Sequence, residues 1–413
     1  MTLIVTMAWV CRIFAQGAST PRSYDTEDHL PLRIPVTGTG YRPPGELPAF
    51  QYYSLVSLHF TDATHLLFTF NITGLIQRDD QCSGDDDERM VRAVVLELPS
   101  GHVTNQKEWK LYDFSDFLWP LGGGQFLLRR CSQLNRVGAT LIPTPWISLG
   151  GALEYLGLSP DHSVLLIEEK PLQKSTDKAG NTAASNPLLS QQANSILGSH
   201  PEPELNVEFI RVHPLAVIAR SHIPRAADIP IVSQGFLEML PALHDRWAVT
   251  LQTFQGPKRD LVAIHSLCTP SLTPVSNDIF IAGVCPKSDQ RAFQAYDFQG
   301  SMLWQMPSSP DRILPRFIRT RDGAHFALET LHASHPRAPL DPLSSQAVDA
   351  EIVDVFDTRT GRSISSFRVA PIYTGGRNVA FSPDGSKLAV LNGGAIEVYK
   401  LDALANDQQV FPK

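Results

Sequence analysis

The densest run of ionisable side chains is "RDDQCSGDDDER", residues 78–89, with carboxylates at Asp79, Asp80, Asp85, Asp86, Asp87 and Glu88. A hard cation needs several oxygens converging on one point. Asp85, Asp86 and Asp87 are the metal candidates of this chain, but consecutive carboxylates lack the alternate-position spacing of a calcium loop, and a hydrated acidic loop is the expectation. "HASH" places His332 and His335 three apart, and two imidazoles hold a metal only with further ligands. His213, His222, His244 and His265 are spread through strand-like segments and read as polar sheet residues. Glu168 and Glu169 are neighbours in "IEEK"; on a strand they point to opposite faces and cannot cooperate as an acid–base pair. There is no G-x-S-x-G nucleophile turn, and "LGGGQF" at 121–126 is not followed by the Lys-Ser/Thr of a phosphate-cradling loop. No catalytic residue, cofactor or further metal site is assigned from these patterns.

The elements that would position such residues are strands. In "NVAFSPDGSKLAVLNGGAIEVYKLD", residues 378–402, short β-rich runs are separated by "SPDGS" and "NGG". Pro383 fixes φ, Asp384 and Gly385 suit a tight turn, and no helical period is present. Three antiparallel strands with apolar residues on both faces cannot stand alone in water. They require neighbours of the same kind.

The same phrase, a turn signal followed by an apolar strand, recurs at Asp62, Gly123, Asp161, Asp245, Asp278, Asp322 and Asp384, in steps of 61, 38, 84, 33, 44 and 62 residues. The short steps bracket the roughly 40–45 residues of a four-stranded propeller blade. A Ser/Asn/Gln/Pro-rich stretch at 171–205 and "HASHPRAPLDPLSSQAVD" at 332–349 lie inside the two longest steps and read as loop insertions. "FSPDGSKLAVLNGGAIEVYKL" and "LSPDHSVLLIEEK" resemble the blades of bacterial WD-repeat-like and YVTN-type β-propellers. That resemblance implies an all-β, seven-bladed propeller and brings no catalytic residue, because its members include binding scaffolds, lactonases and the propeller portions of peptidases. The lone strand-like run "HLPLRIPVTG" at 29–38 is expected to close the ring as the outer strand of the last blade.

Residues 1–17, "MTLIVTMAWVCRIFAQG", carry a short apolar run ending in small residues, the pattern of a secretory signal, although Arg12 interrupts the run and no basic residue precedes it. The expected organisation is a signal peptide at 1–17, a polar segment at 18–28, one propeller at 29–403 and a tail at 404–413, secreted or periplasmic, with no membrane span after cleavage. Four cysteines follow the signal region. Equivalent places on adjacent blades lie close together, so the register pairs Cys82 with Cys131 and Cys268 with Cys285. Trp109, Trp119, Trp146, Trp247 and Trp304 fall within blades and are expected to pack between them.

A net charge of −7 and a pI near 6.0 give no general attraction to nucleic acid. The functional expectation is a monomeric, non-enzymatic scaffold with a protein or glycan partner. The alternative is a lactonase-like hydrolase at the mouth of the central channel: four or more inward ionisable groups from different blades around a pocket would favour the enzyme, and an apolar or sparsely polar channel the binding scaffold.

Overall fold

The computed structural model describes residues 30–43, 55–72, 89–111, 116–171, 204–224, 228–242, 244–288, 290–334, 347–370, 372 and 377–401. After β1 (Leu32–Pro35), the chain lays down blade 1 as β2 (Ser57–Phe60), β3 (His65–Asn71), β4 (Arg89–Glu97) and β5 (Val103–Leu111). Blade 2 is β6 (Leu118–Gly122), β7 (Gln125–Arg130), β8 (Gln133–Val137) and β9 (Thr144–Ser148). Blade 3 is β10 (Gly151–Leu158), β11 (Val164–Pro171), β12 (Leu205–Arg211) and β13 (Ala216–Ile223). Blade 4 is β14 (Ile231–Val232), β15 (Gly235–Pro241), β16 (Arg246–Thr253) and β17 (Arg259–His265). Blade 5 is β18 (Ser271–Pro274), β19 (Ile279–Lys287), β20 (Gln290–Asp297) and β21 (Met302–Ser308). Blade 6 is β22 (Arg312–Arg319), β23 (His325–Ala333), β24 (Val348–Asp357) and β25 (Ser363–Val369). Blade 7 is β26 (Val379–Phe381), β27 (Lys387–Asn392) and β28 (Ala395–Lys400), with β1 hydrogen-bonded to β28 in the register Leu32↔Val398 to Pro35↔Ala395.

Each sheet is apolar on both faces, and alternation along a strand sends successive side chains to different neighbours. On β4, Val94 and Leu96 pack with blade 7, while Val91, Ala93 and Val95 pack with blade 2. Among the described residues, seven hydrophobic clusters result, one between each consecutive pair of blades, and the cluster joining blades 7 and 1 contains Ile34 of β1. The molecule is thus a ring of seven sheets with seven inter-blade cores, an all-β propeller.

The recurring turn phrase has a hydrogen-bond basis. In blade 7, the Asp384 carboxylate accepts from Ser382 Oγ (2.5 Å), Ser386 N (3.1 Å) and Ser386 Oγ (2.9 Å), while Lys387 N donates to Ser382 Oγ (2.9 Å). Ser159, Asp161, Ser163 and Val164 repeat these contacts in blade 3. Asp62 and Asp322 accept the backbone N–H two residues on in blades 1 and 6. These are Asx turns, which hold a tight connection through a side-chain oxygen. They join the first and second strands of their blades.

Blade 4 departs from the sequence register. Its corresponding turn is Ser233–Gln234, whereas Asp245 lies one strand later, between β15 and β16. Here β14 is only two residues long, and the turn takes its support from the next blade: Ser233 N donates to Asn277 Oδ1 (3.1 Å). A turn braced from outside carries no local aspartate signature.

The insertion at 171–205 connects β11 to β12. The one at 332–349 is shorter than its sequence limits, because His332 and Ala333 belong to β23 and Val348 and Asp349 to β24. The acidic stretch connects β3 to β4. All three join second strands to third strands and so start from the end of the sheets opposite the Asx turns. Among the described residues, no helix is long and apolar enough to cross a membrane.

Candidate functional site

The first strands of all seven blades line a central channel of about 540 Å³, within the size range of small-molecule sites. Among the described residues, nine ionisable side chains enter it. His59 comes from β2, Tyr155 from β10, and Arg316 and Arg319 from β22. Asp116, Asp228 and Arg377 come from the segments leading into β6, β14 and β26. His162 and Arg321 stand on the Asx turns of blades 3 and 6. His162 and Arg377 hold left-handed backbone, at φ 62° and 72°, as does Leu314 (φ 51°) beside the Pro315–Arg316 bulge. Non-glycine residues in this region are sparse and concentrate at functional sites.

Two of the arginines act as struts. Arg319 donates from Nη1 to the Pro274 carbonyl of blade 5 (3.0 Å) and from Nη2 to the Leu158 carbonyl of blade 3 (2.8 Å). Arg377 donates to the Leu118 carbonyl of blade 2 (3.3 Å) and pairs with Asp116. Burial lowers both guanidinium values to about 10, so both remain charged at neutral pH; Asp116 offsets part of the effect on Arg377. On the opposite side, Tyr155 donates to Asp228 (2.5 Å), and burial followed by the Asp228 charge pushes its phenol far up.

The imidazoles are held neutral. Burial, then the charges of Arg377 and Arg316, lowers His59 to about 3. Burial, then Arg319 and Arg321, lowers His162 to about 4. His59 Nε2 and His162 Nδ1 are buried atoms with no hydrogen-bond partner, an arrangement that costs free energy unless something else satisfies them. Across from Arg316 on β23, Glu329 is raised by burial, with Arg316 pulling the other way.

The residues singled out by sequence lie elsewhere. Asp85, Asp86, Asp87, Cys82 and His335 fall outside the described residues. Cys268 and Cys285 form a disulfide (Cα–Cα 5.5 Å) joining the connection after β17 to β19, and Cys131 is also disulfide-bonded. His332, near the end of β23, an interior strand of blade 6, sits between Asp311 (2.9 Å) and Asp349 (2.7 Å). Glu168 is buried on β11 beside Tyr155, while Glu169 accepts from Gly150 N (2.8 Å). Among the described residues, no group of three His, Cys, Asp or Glu side chains is placed to hold a metal. Trp109 and Trp304 pack between blades and donate to carbonyls of the following blade, Leu141 (3.0 Å) and Thr358 (2.9 Å). Gly361, at φ 66°, makes room for the Trp304 ring, which a Cβ would approach to 2.7 Å.

None of the nine channel groups stood out by spacing. A usable signal was present for two: "SPDH" and "TRDG" carry His162 and Arg321 inside the repeated turn, and those turns gather at one mouth of the channel.

No family model matches the chain, and no curated protein matches it. Solved structures do. Acylaminoacyl peptidase of Pyrococcus horikoshii superimposes with a TM-score of 0.50 at 11% identity, over 86% of this chain and 53% of that one, so the chain spans about half that enzyme's length. The propeller domain of the Trilobed protease of Pyrococcus furiosus gives 0.46 at 9% identity, over 84% and 94% of the two chains. The C-terminal WD40 domain of Sif2 gives 0.39 at 9%, over 84% and 95%. The likeness is one of fold: the protein is a seven-bladed β-propeller. The narrower YVTN-type resemblance has no family-model support.

Proposed function

We propose that this propeller is an exported, non-enzymatic binding module that receives its ligand, a polar group of a glycan or protein partner, in the central channel. The observation that carries the reading is the convergence of the channel's ionisable groups from six of the seven blades, on the first strands and on the short segments and turns that adjoin them. Rigid strands present such groups with little ordering cost.

The same convergence favours a channel-mouth hydrolase as a second reading. The hydroxyls weigh against it. A nucleophile needs a base within hydrogen-bond reach. Ser382 Oγ is engaged with Asp384 and Lys387 N, and Tyr155 donates to Asp228. Neither His59 Nε2 nor His162 Nδ1 has a hydroxyl partner.

The test is to titrate the purified chain calorimetrically with acidic and neutral oligosaccharides and peptides, and to assay lactone, ester and aminoacyl-peptide hydrolysis in parallel. Saturable binding without turnover is expected. Turnover abolished by His162→Asn would transfer the assignment to the hydrolase. Export predicts that the chain from its native host has lost residues 1–17 by intact mass.

A further inference from the structure

We propose that the Asx-turn mouth of the channel is an oxyanion site, taking a carboxylate or phosphate group between Arg321, His162 and His59, with Arg316 and Arg377 deeper behind them. The proposal rests on reading the channel as the binding site and specifies what it binds.

Charge is the first argument. Among the described residues, the channel lining contains four arginines against two aspartates, a formal +2, in a protein whose overall formal charge is −7. One aspartate is paired with Arg377 and the other accepts from Tyr155. Like charges gathered in a partly buried space repel more strongly than in water. A bound anion relieves that repulsion, whereas a cation adds to it.

Geometry is the second. Arg321 belongs to blade 6, yet its guanidinium lies over Gly122 of blade 2, where a Cβ would stand 2.9 Å from Nη1. The side chain therefore reaches across the mouth. Among the described residues, it has neither a hydrogen-bond nor an ion-pair partner, so its five N–H donors are available. A planar guanidinium matches the paired oxygens of a carboxylate or phosphate.

The third is the pair of neutral imidazoles, each with a buried ring nitrogen lacking a partner. A neutral imidazole donates one N–H, and an oxyanion supplies the acceptor it lacks. The channel volume admits a small molecule or the acidic end of a larger chain, not a folded domain.

The experiment uses citrate and inorganic phosphate as probes, with potassium chloride at matched ionic strength as control, and reads both calorimetric affinity and thermal midpoint. Citrate or phosphate should bind saturably and raise the midpoint beyond the chloride control. Preference between them distinguishes a carboxylate from a phosphate ligand. Arg321→Gln and His162→Asn should each weaken binding at least ~10-fold, the loss expected for one charge-assisted hydrogen bond. Asn tolerates the left-handed backbone at 162. Lys387→Gln removes a cation that binds the Ala63 carbonyl outside the channel, and should leave affinity unchanged. The proposal is overturned if chloride acts equally, if both channel variants bind like wild type, or if Lys387→Gln costs as much as Arg321→Gln. Binding of neutral oligosaccharides without an oxyanion response would overturn it while leaving the channel reading intact. No binding of either kind removes both.

Discussion

His59 and His162 link the channel to pH. Folded, they titrate near 3 and near 4, with burial the leading cause and neighbouring arginines next; the ordinary value is 6.5. Between these limits the unfolded chain takes up protons that the folded chain refuses, so stability falls as pH drops from about 6.5. The turn aspartates act in the same direction at lower pH. Asp384 is held below 3.8 first by Ser382; for Asp62 and Asp161, burial alone would raise the value, but hydrogen bonds from Thr64 and His65, and from Ser159 and Ser163, outweigh it. Their contribution is complete above about pH 4 and is lost as pH falls through the folded values. Between pH ~7 and ~5, the thermal midpoint of His59→Asn/His162→Asn should therefore decline less steeply than that of wild type. Parallel profiles would contradict the burial of these imidazoles. At this scale, sequence reading recognised the turn aspartates and missed the imidazoles. An Asx turn is written within five residues, whereas the burial of a histidine depends on six other blades.

Among the elements, the disulfide between Cys268 and Cys285 was legible because each lies at a recognisable place on consecutive blades. It closes a separation of 17 residues, and Ser266 Oγ donates to the Cys268 carbonyl (2.8 Å) and accepts from Cys285 N (2.9 Å). A loop of this length gives about 3 kcal/mol on the chain-entropy view. Cys268→Ala/Cys285→Ala should lose about 2–4 kcal/mol in equilibrium denaturant unfolding, and an unchanged midpoint would show that the bond adds nothing. Blade 4 shows where legibility ended. A two-residue inner strand has too few positions to display alternation, and its turn is held by Asn277 of another blade. Asp245, the nearest aspartate of the expected kind, marks the wrong hairpin.

For the whole molecule, stability rests on seven shared cores, none belonging to one blade. Ile34 tests the junction of the two chain ends. It is 3% exposed, on β1 of blade 7, and packs with Leu66, Phe68 and Phe70 of blade 1 in one cluster. It also fills the space beside Gly101 of blade 1, where a Cβ would stand 2.7 Å from its Cγ2. Ile34→Ala should cost about 2–5 kcal/mol. Because every core is shared between neighbours, unfolding should remain a single cooperative transition by fluorescence and by circular dichroism. Two separate transitions, or a loss below about 0.5 kcal/mol, would show that this strand is not integral to the ring.

Sequence by itself determined the strands, most of the turns between them, the count of seven blades and one cysteine pair. These follow from interactions a few residues apart: alternation along a strand, side chain to backbone within a turn, and the requirement that a two-faced apolar sheet have neighbours. Tertiary structure alone decided which side chains line the channel. Arg377 meets the Leu118 carbonyl across 259 residues, and Arg319 reaches that of Leu158 across 161. Only the curvature of the closed ring turns seven first strands toward one axis, and only there does a chain of net negative charge present a positive interior.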